Sequence, residues 1–216
     1  SRMNRDAGVP AGWRTLNNYP IKDPARFRAA INAFDAANRQ DPNSEVYQGK
    51  QYPKELLYAE RMTTWLDAIA PDAPEVVQLA VRAQHIERWK IPRSDYPKDR
   101  LSYRKWRVDL GKFHAERAGQ VLVEAGYGDE TVACVQSLLR KENLKTDPHC
   151  QLLEDVVCLV FLEFYFRDFA DEHDEEKLVN ILRRTWRKMS ERGHQAALQL
   201  ELPPDLGRLV EKAVAG

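Results

Sequence analysis

Three helical stretches each set a polar, ligand-capable residue into an otherwise apolar stripe. His85 lies in PEVVQLAVRAQHIERW, His114 in DLGKFHAERAGQVLVEAGY, and Asp155, beside Glu154, in CQLLEDVVCLVFLEFYF. At helical periods His85 shares a face with Val77, Val81 and Trp89, His114 with Ala118, Val121 and Ala125, and Asp155 with Leu152, Leu159 and Leu162. A buried carboxylate is costly unless it is paired, protonated or bound to a metal. Two imidazoles with one or two carboxylates suit a divalent ion, whether Mn, Fe, Mg or Zn. That reading requires His85, His114 and Asp155 to converge within about 8 Å. Without a metal, two neighbouring carboxylates would raise one proton affinity and suit general-base work by Glu154 or Asp155. The competing accounts are structural: an ion pair of this couple with Arg61 or Arg82, and a core histidine at 85 bonded to a backbone carbonyl.

The elements that must position these residues read as helices throughout. Residues 1–22 form an irregular arm, and Asp23-Pro24 opens a helix to about Arg39 with an N-cap and a proline in the first turn. A loop runs from Asp41 to Pro53. Helices follow at about 53–69, 74–90, 101–125, 129–142, 149–170 and 174–192, with a short one at 204–214. No stretch alternates with period two long enough for a confident strand. The expectation is all-α: a single compact domain over 23–216 with about seven to eight helices, the last of them over 174–214.

Charge and cysteine usage narrow the setting. Lys+Arg and Asp+Glu both number 33, so the whole chain has no electrostatic bias toward nucleic acid or membrane. Three cysteines without C-x-x-C spacing read as reduced thiols of a cytoplasmic protein. The longest apolar run, Val156 to Phe166, is broken by Glu163 and is too short for a bilayer. No secretory leader is expected, and homo-oligomerisation stays open.

The segment Arg88–Arg107 carries eight basic and two acidic residues, interleaved with Trp89, Tyr96, Tyr103 and Trp106. Pro92 and Pro97 make its middle a loop. Arginine forks beside a polar centre suit a phosphate, so Arg93, Arg100 and Arg104 are the expected phosphate contacts. Single-stranded nucleic acid could use the same features and is the lesser alternative. The 174–192 helix starts acidic and ends basic, which matches the helix dipole and reads first as stabilisation.

The order of these stretches resembles HD-domain metal proteins. LLYAERMTTWLDAI is similar to their first His helix, LAVRAQHIERW to the His-Asp helix, HAERAGQVLVEAGY to an extra-His helix and LLEDVVCL to the final Asp helix. The likeness spans about 54–165 and implies an HD-like core. Tyr58 (or Glu60) stands where the first His belongs, Ile86 replaces the Asp of the pair, and Lys141 or Asn143 stands where some relatives have another His. The resemblance implies metal-assisted hydrolysis of a phosphorylated small molecule or nucleotide, with His85, His114, Glu154 and Asp155 as ligands. Tyr58, Arg61 and Lys141 would lie around the substrate, Lys141 taking a catalytic part. Its alternatives are a dinuclear iron oxygenase and a non-catalytic binding module. A second likeness is carried by ELLYAERMTTWL, RAQHIERWKIPRSDYP, YRKWR and LKTDPHCQLLEDVVCLVFLE, from about Ala29 to Leu202. These resemble a family of unknown function, sometimes labelled glutamyl-tRNA synthetase-like. The synthetase label fails physically: Lys188-Met189-Ser190 lies within an amphipathic helix, and no HIGH-type motif or Rossmann pattern accompanies it.

Overall fold

The computed structural model describes residues 21–216, and the expected N-terminal arm lies outside them except for its last two positions. Among the described residues the architecture is all-α apart from one hairpin. The chain gathers into two compact units, one running to Thr146 and the other Asp147–Gly216.

In the first unit, α1 (Pro24–Arg39) begins where Asp23 accepts a hydrogen bond from Arg26 N–H at 3.1 Å. The stretch read as loop contains strands β1 (Ser44–Tyr47) and β2 (Lys50–Pro53), paired antiparallel with Ser44 opposite Pro53. Four-residue strands are too short to show a period of two. The legible signal was the turn, where Gln48 and Gly49 both have positive φ (50° and 77°), as a tight primed hairpin requires. Next come α2 (Lys54–Ile69) and α3 (Glu75–Ala83), and after a looped stretch α4 (Arg100–Ala125) and α5 (Asp129–Leu139). Helix α4 packs on α5 and α1, and α3 packs on α2 and α5. Beside Gly119 the Gln136 amide donates to the Ala115 carbonyl at 3.1 Å, and a Cβ at 119 would displace that amide. Phe34, Leu66, Val77, Ala80, Val81 and Leu122 form the dry interior.

Both arginines offered as partners for the Glu154-Asp155 couple are used within this unit. Arg82, 1% exposed, donates from Nε and Nη2 to the two Asp35 oxygens at 2.8 Å each, and from Nη1 to Thr63 Oγ1 at 3.1 Å. Arg61 bonds Glu45 at 2.7 Å and lies over the Tyr47 ring.

Several helices end earlier than their apolar patterns. The one expected to reach residue 90 stops at Ala83, because Glu87 turns left-handed (φ 51°, ψ 34°). The one expected to reach 142 stops at Leu139, before Lys141 at φ 56°.

In the second unit, α6 (Pro148–Val160) runs through a π-helical turn, Phe161–Tyr165, into α7 (Phe166–Glu172). The single helix expected over 174–192 is two. Helix α8 (Glu175–Lys188) ends at Met189 in extended backbone, and Ser190 caps α9 (Glu191–Leu198). Helix α10 (Pro204–Ala215) packs on α8. No helix among the described residues is long and apolar enough to cross a membrane.

A buried ion pair is tightly held when whole and costly when halved. Asp35→Ala is expected to destabilise the protein by about 3–5 kcal/mol in urea unfolding, with the double change Asp35→Leu/Arg82→Met much milder.

Candidate active site: a basic pocket around two histidines

The left-handed corner at Glu87 builds the site. Its backbone N–H donates to the Asn38 side-chain oxygen at 3.0 Å, and its carboxylate accepts from Arg117 and Lys90. The corner takes Ile86 out of the helical ladder and leaves its carbonyl oxygen for a side chain. His114, on α4, donates Nδ1–H to that oxygen at 2.8 Å. A carbonyl can only accept, so this bond fixes the tautomer and leaves the lone pair on Nε2. His85 lies one residue before Ile86, its ring centroid 6.0 Å from that of His114. Tyr58 of α2 stacks on it face to face at 3.8 Å.

Behind His85 stands Glu55, in the first turn of α2 and 5% exposed. Asp41 places it by accepting the Glu55 backbone N–H at 2.9 Å. Glu55 Oε2 lies 3.3 Å from His85 Nδ1. The orientation is poor for a hydrogen bond, and this buried oxygen makes none among the described residues. Burial pushes the carboxyl up to about 7, against the pull of Arg88 and Lys54 and with help from Asp41 and Glu45. Both imidazoles move the other way. Burial, then the charges of Arg88, His114, Arg107 and Lys141, hold His85 well below its ordinary range. Burial lowers His114 to about 4 despite its bond to Ile86, and Arg88 and Arg107 add to the shift.

His85 and His114 form one side of a pocket of about 460 Å³. Among the described residues five basic side chains line it, Arg88, Arg107, Lys112, Arg140 and Lys141, with Glu142 the lone carboxylate. Its apolar lining comes from Val108, Leu110 and Leu139. Arg88 reaches His85 Nδ1 at 3.4 Å and covers the Trp106 ring at 5.1 Å.

The expected phosphate contacts are placed differently. Arg93 donates to the carbonyls of Tyr96 and Pro97 at 3.2 and 2.8 Å and braces the loop. Arg100 and Arg104 are exposed on α4 and do not belong to the lining. Arg107 and Lys112, further along the same helix, supply the charge there. Sequence reasoning stopped one helical turn short, since only the loop's composition drew attention. Glu55 was missed because an acid in a first helical turn reads as a dipole partner. Lys141 does line the pocket, and Tyr58 supports His85 as a stacking partner.

Glu154 and Asp155 belong to the second unit. Asp155, 1% exposed, accepts from Ser190 N–H at 2.8 Å, from Ser190 Oγ and from Gln151 Nε2 at 3.1 Å. Gly193 leaves room for this arrangement: a Cβ would come within 2.8 Å of Asp155 Oδ1. Asp155 thus braces the start of α9. Among the described residues no group of three or more His, Cys, Asp or Glu side chains is arranged to hold a metal ion. Of the expected ligand set, His85 and His114 lie in the first unit and Glu154 and Asp155 in the second.

Fold and pocket define an all-α protein with a basic, histidine-bearing cavity. The chain belongs to the family described as domain of unknown function DUF4202, whose model matches residues 28–210. That match is to neither an HD-domain nor a synthetase model. No curated protein and no solved structure matches the chain.

The two buried groups give opposite pH slopes. Folded Glu55 keeps its proton to about pH 7 while the unfolded chain releases it near 4.5, so its contribution weakens as pH rises through that window. His114 stays neutral down to about 4 while the unfolded imidazole protonates near 6.5, so its contribution weakens as pH falls. Glu55→Gln is expected to raise stability at pH 8 by about 2–3 kcal/mol, the gain vanishing near pH 4, in urea unfolding across pH. In the second unit, Asp155→Asn is expected to cost about 1–3 kcal/mol by the same measurement, through loss of the charged acceptor for Ser190.

Proposed function

We propose that the protein binds the phosphate of a phosphorylated small molecule or nucleotide in this pocket and hydrolyses the ester. One observation carries the reading: five basic side chains line the pocket with two imidazoles whose proton affinity is lowered by burial first and then by Arg88 and Arg107. A cavity with this charge balance attracts anions, and guanidinium groups fit phosphate oxygens in paired hydrogen bonds. The hydrolase class comes from the likeness in order to HD-domain proteins. Local support comes from the fixed His114 tautomer, which keeps a lone pair for a water proton.

In the proposed reaction water oxygen attacks phosphorus as the ester oxygen leaves. His114 Nε2 accepts the water proton, and the leaving oxygen takes up a proton from the medium. The basic side chains hold the negative charge of the transferring group. His114 is a weak base in the empty pocket, and a bound phosphate dianion strengthens it by favouring the imidazolium.

Inorganic phosphate is expected to bind saturably, and Arg107→Ala to weaken it by roughly 1.5–3 kcal/mol. His114→Gln should retain phosphate binding and abolish phosphate release from p-nitrophenyl phosphate. Binding without hydrolysis in the native protein would make it a binding module. No phosphate binding would overturn the reading.

A further inference from the structure

Beyond its positive charge, the pocket presents hydrogen-bonding groups for which a phosphate has no use. Gln84, just past the end of α3, is 6% exposed and lines the cavity. Its Oε1 is buried and makes no hydrogen bond among the described residues. A buried amide oxygen without a donor is costly, and sites that leave one are completed by a ligand or a solvent molecule. The terminal amide can turn by half a rotation between near-equivalent positions and so offer the cavity either its oxygen or its NH₂. A hydroxyl, which both donates and accepts, satisfies either orientation. Glu142 is the second such group. Its carboxylate accepts from Ser137 Oγ at 3.2 Å and from Arg140 Nε, and retains further acceptor capacity toward the cavity it lines.

The third observation concerns what walls the rest of the space. Val108, Leu110 and Leu139 suit a short carbon skeleton. Among the described residues the aromatic rings of the lining are the two imidazoles, of which His85 already stacks on Tyr58, so a purine or pyrimidine finds less ring surface here than a base-stacking site offers.

From the Gln84 amide, the Glu142 carboxylate and this lining together, we infer that the ligand is a phosphorylated polyhydroxy compound, a sugar or polyol phosphate, with Gln84 reading a hydroxyl near the phosphate. The inference rests on the phosphate-binding reading above and chooses between the two substrate classes it names. A site built to pair a hydroxyl discriminates against the analogue lacking it, because the protein group is then left buried and unmatched.

The test compares glycerol 3-phosphate, n-propyl phosphate, AMP and inorganic phosphate by calorimetry, on the native protein and on Gln84→Met. Native protein is expected to bind glycerol 3-phosphate roughly tenfold tighter than n-propyl phosphate and tighter than AMP. In Gln84→Met that preference should shrink to within about twofold, with inorganic phosphate bound as before. Equal native affinities for the glycerol and propyl esters, or a preference that survives Gln84→Met, would overturn the role of Gln84 and leave the phosphate reading standing. Tighter binding of AMP would assign the pocket to nucleotides instead. Failure of inorganic phosphate to bind would remove the phosphate reading and this inference together. The native comparison decides the ligand class even if Gln84→Met does not fold.

Discussion

The left-handed turn at Glu87 is the constraint on which the pocket depends. A non-glycine residue in that conformation is strained, and it persists only when its surroundings over-determine it. Here a buried amide, Asn38, holds the backbone N–H, and two cations hold the carboxylate. Burial works to raise the Glu87 carboxyl, and the hydrogen bonds from Lys90 and Arg117 outweigh it, so the group stays charged and holds both. The turn stops α3, releases the Ile86 carbonyl to His114, and sets His85 between Tyr58 and Glu55. A continuous helix to residue 90, as the apolar pattern suggested, would have consumed that carbonyl in its own ladder. The fixed tautomer of one histidine and the position of the other thus follow from a single backbone angle.

Much of the fold was legible because amphipathic periodicity survives in a single sequence. The starts of α1 and α4 and the end of α4 at Gly126 carry side-chain or glycine signals that local chemistry fixes. The early ends of α3 and α5 were not legible, since Glu87 and Lys141 are not residues that announce positive φ. Ser190 was hidden for a different reason: the charge pattern around it continues smoothly, and only the bond to Asp155 reveals the break.

Of the residues in and around the pocket, His85, His114, Tyr58 and Lys141 were singled out by the sequence, whereas Glu55 and Gln84 were not. Polar residues on apolar stripes draw attention wherever they lie, which is why His85, His114 and Asp155 stood out together. What periodicity lacks is the partner across the fold. Asp155 is satisfied by a serine thirty-five positions away, and Arg82 by an aspartate forty-seven positions away. Neither pairing leaves a local trace. Glu55 shows the converse case, an ordinary-looking acid made unusual by burial and by the nearby Asp41.

All the residues that line the pocket, from Gln84 to Glu142, belong to the unit that ends at Thr146, and so do Glu55 and Tyr58. The proposed chemistry therefore draws on a contiguous part of the chain. After Thr146, the Asp155–Ser190–Gly193 brace ties α6 to the start of α9. A fragment ending at Thr146 would carry every one of the pocket residues.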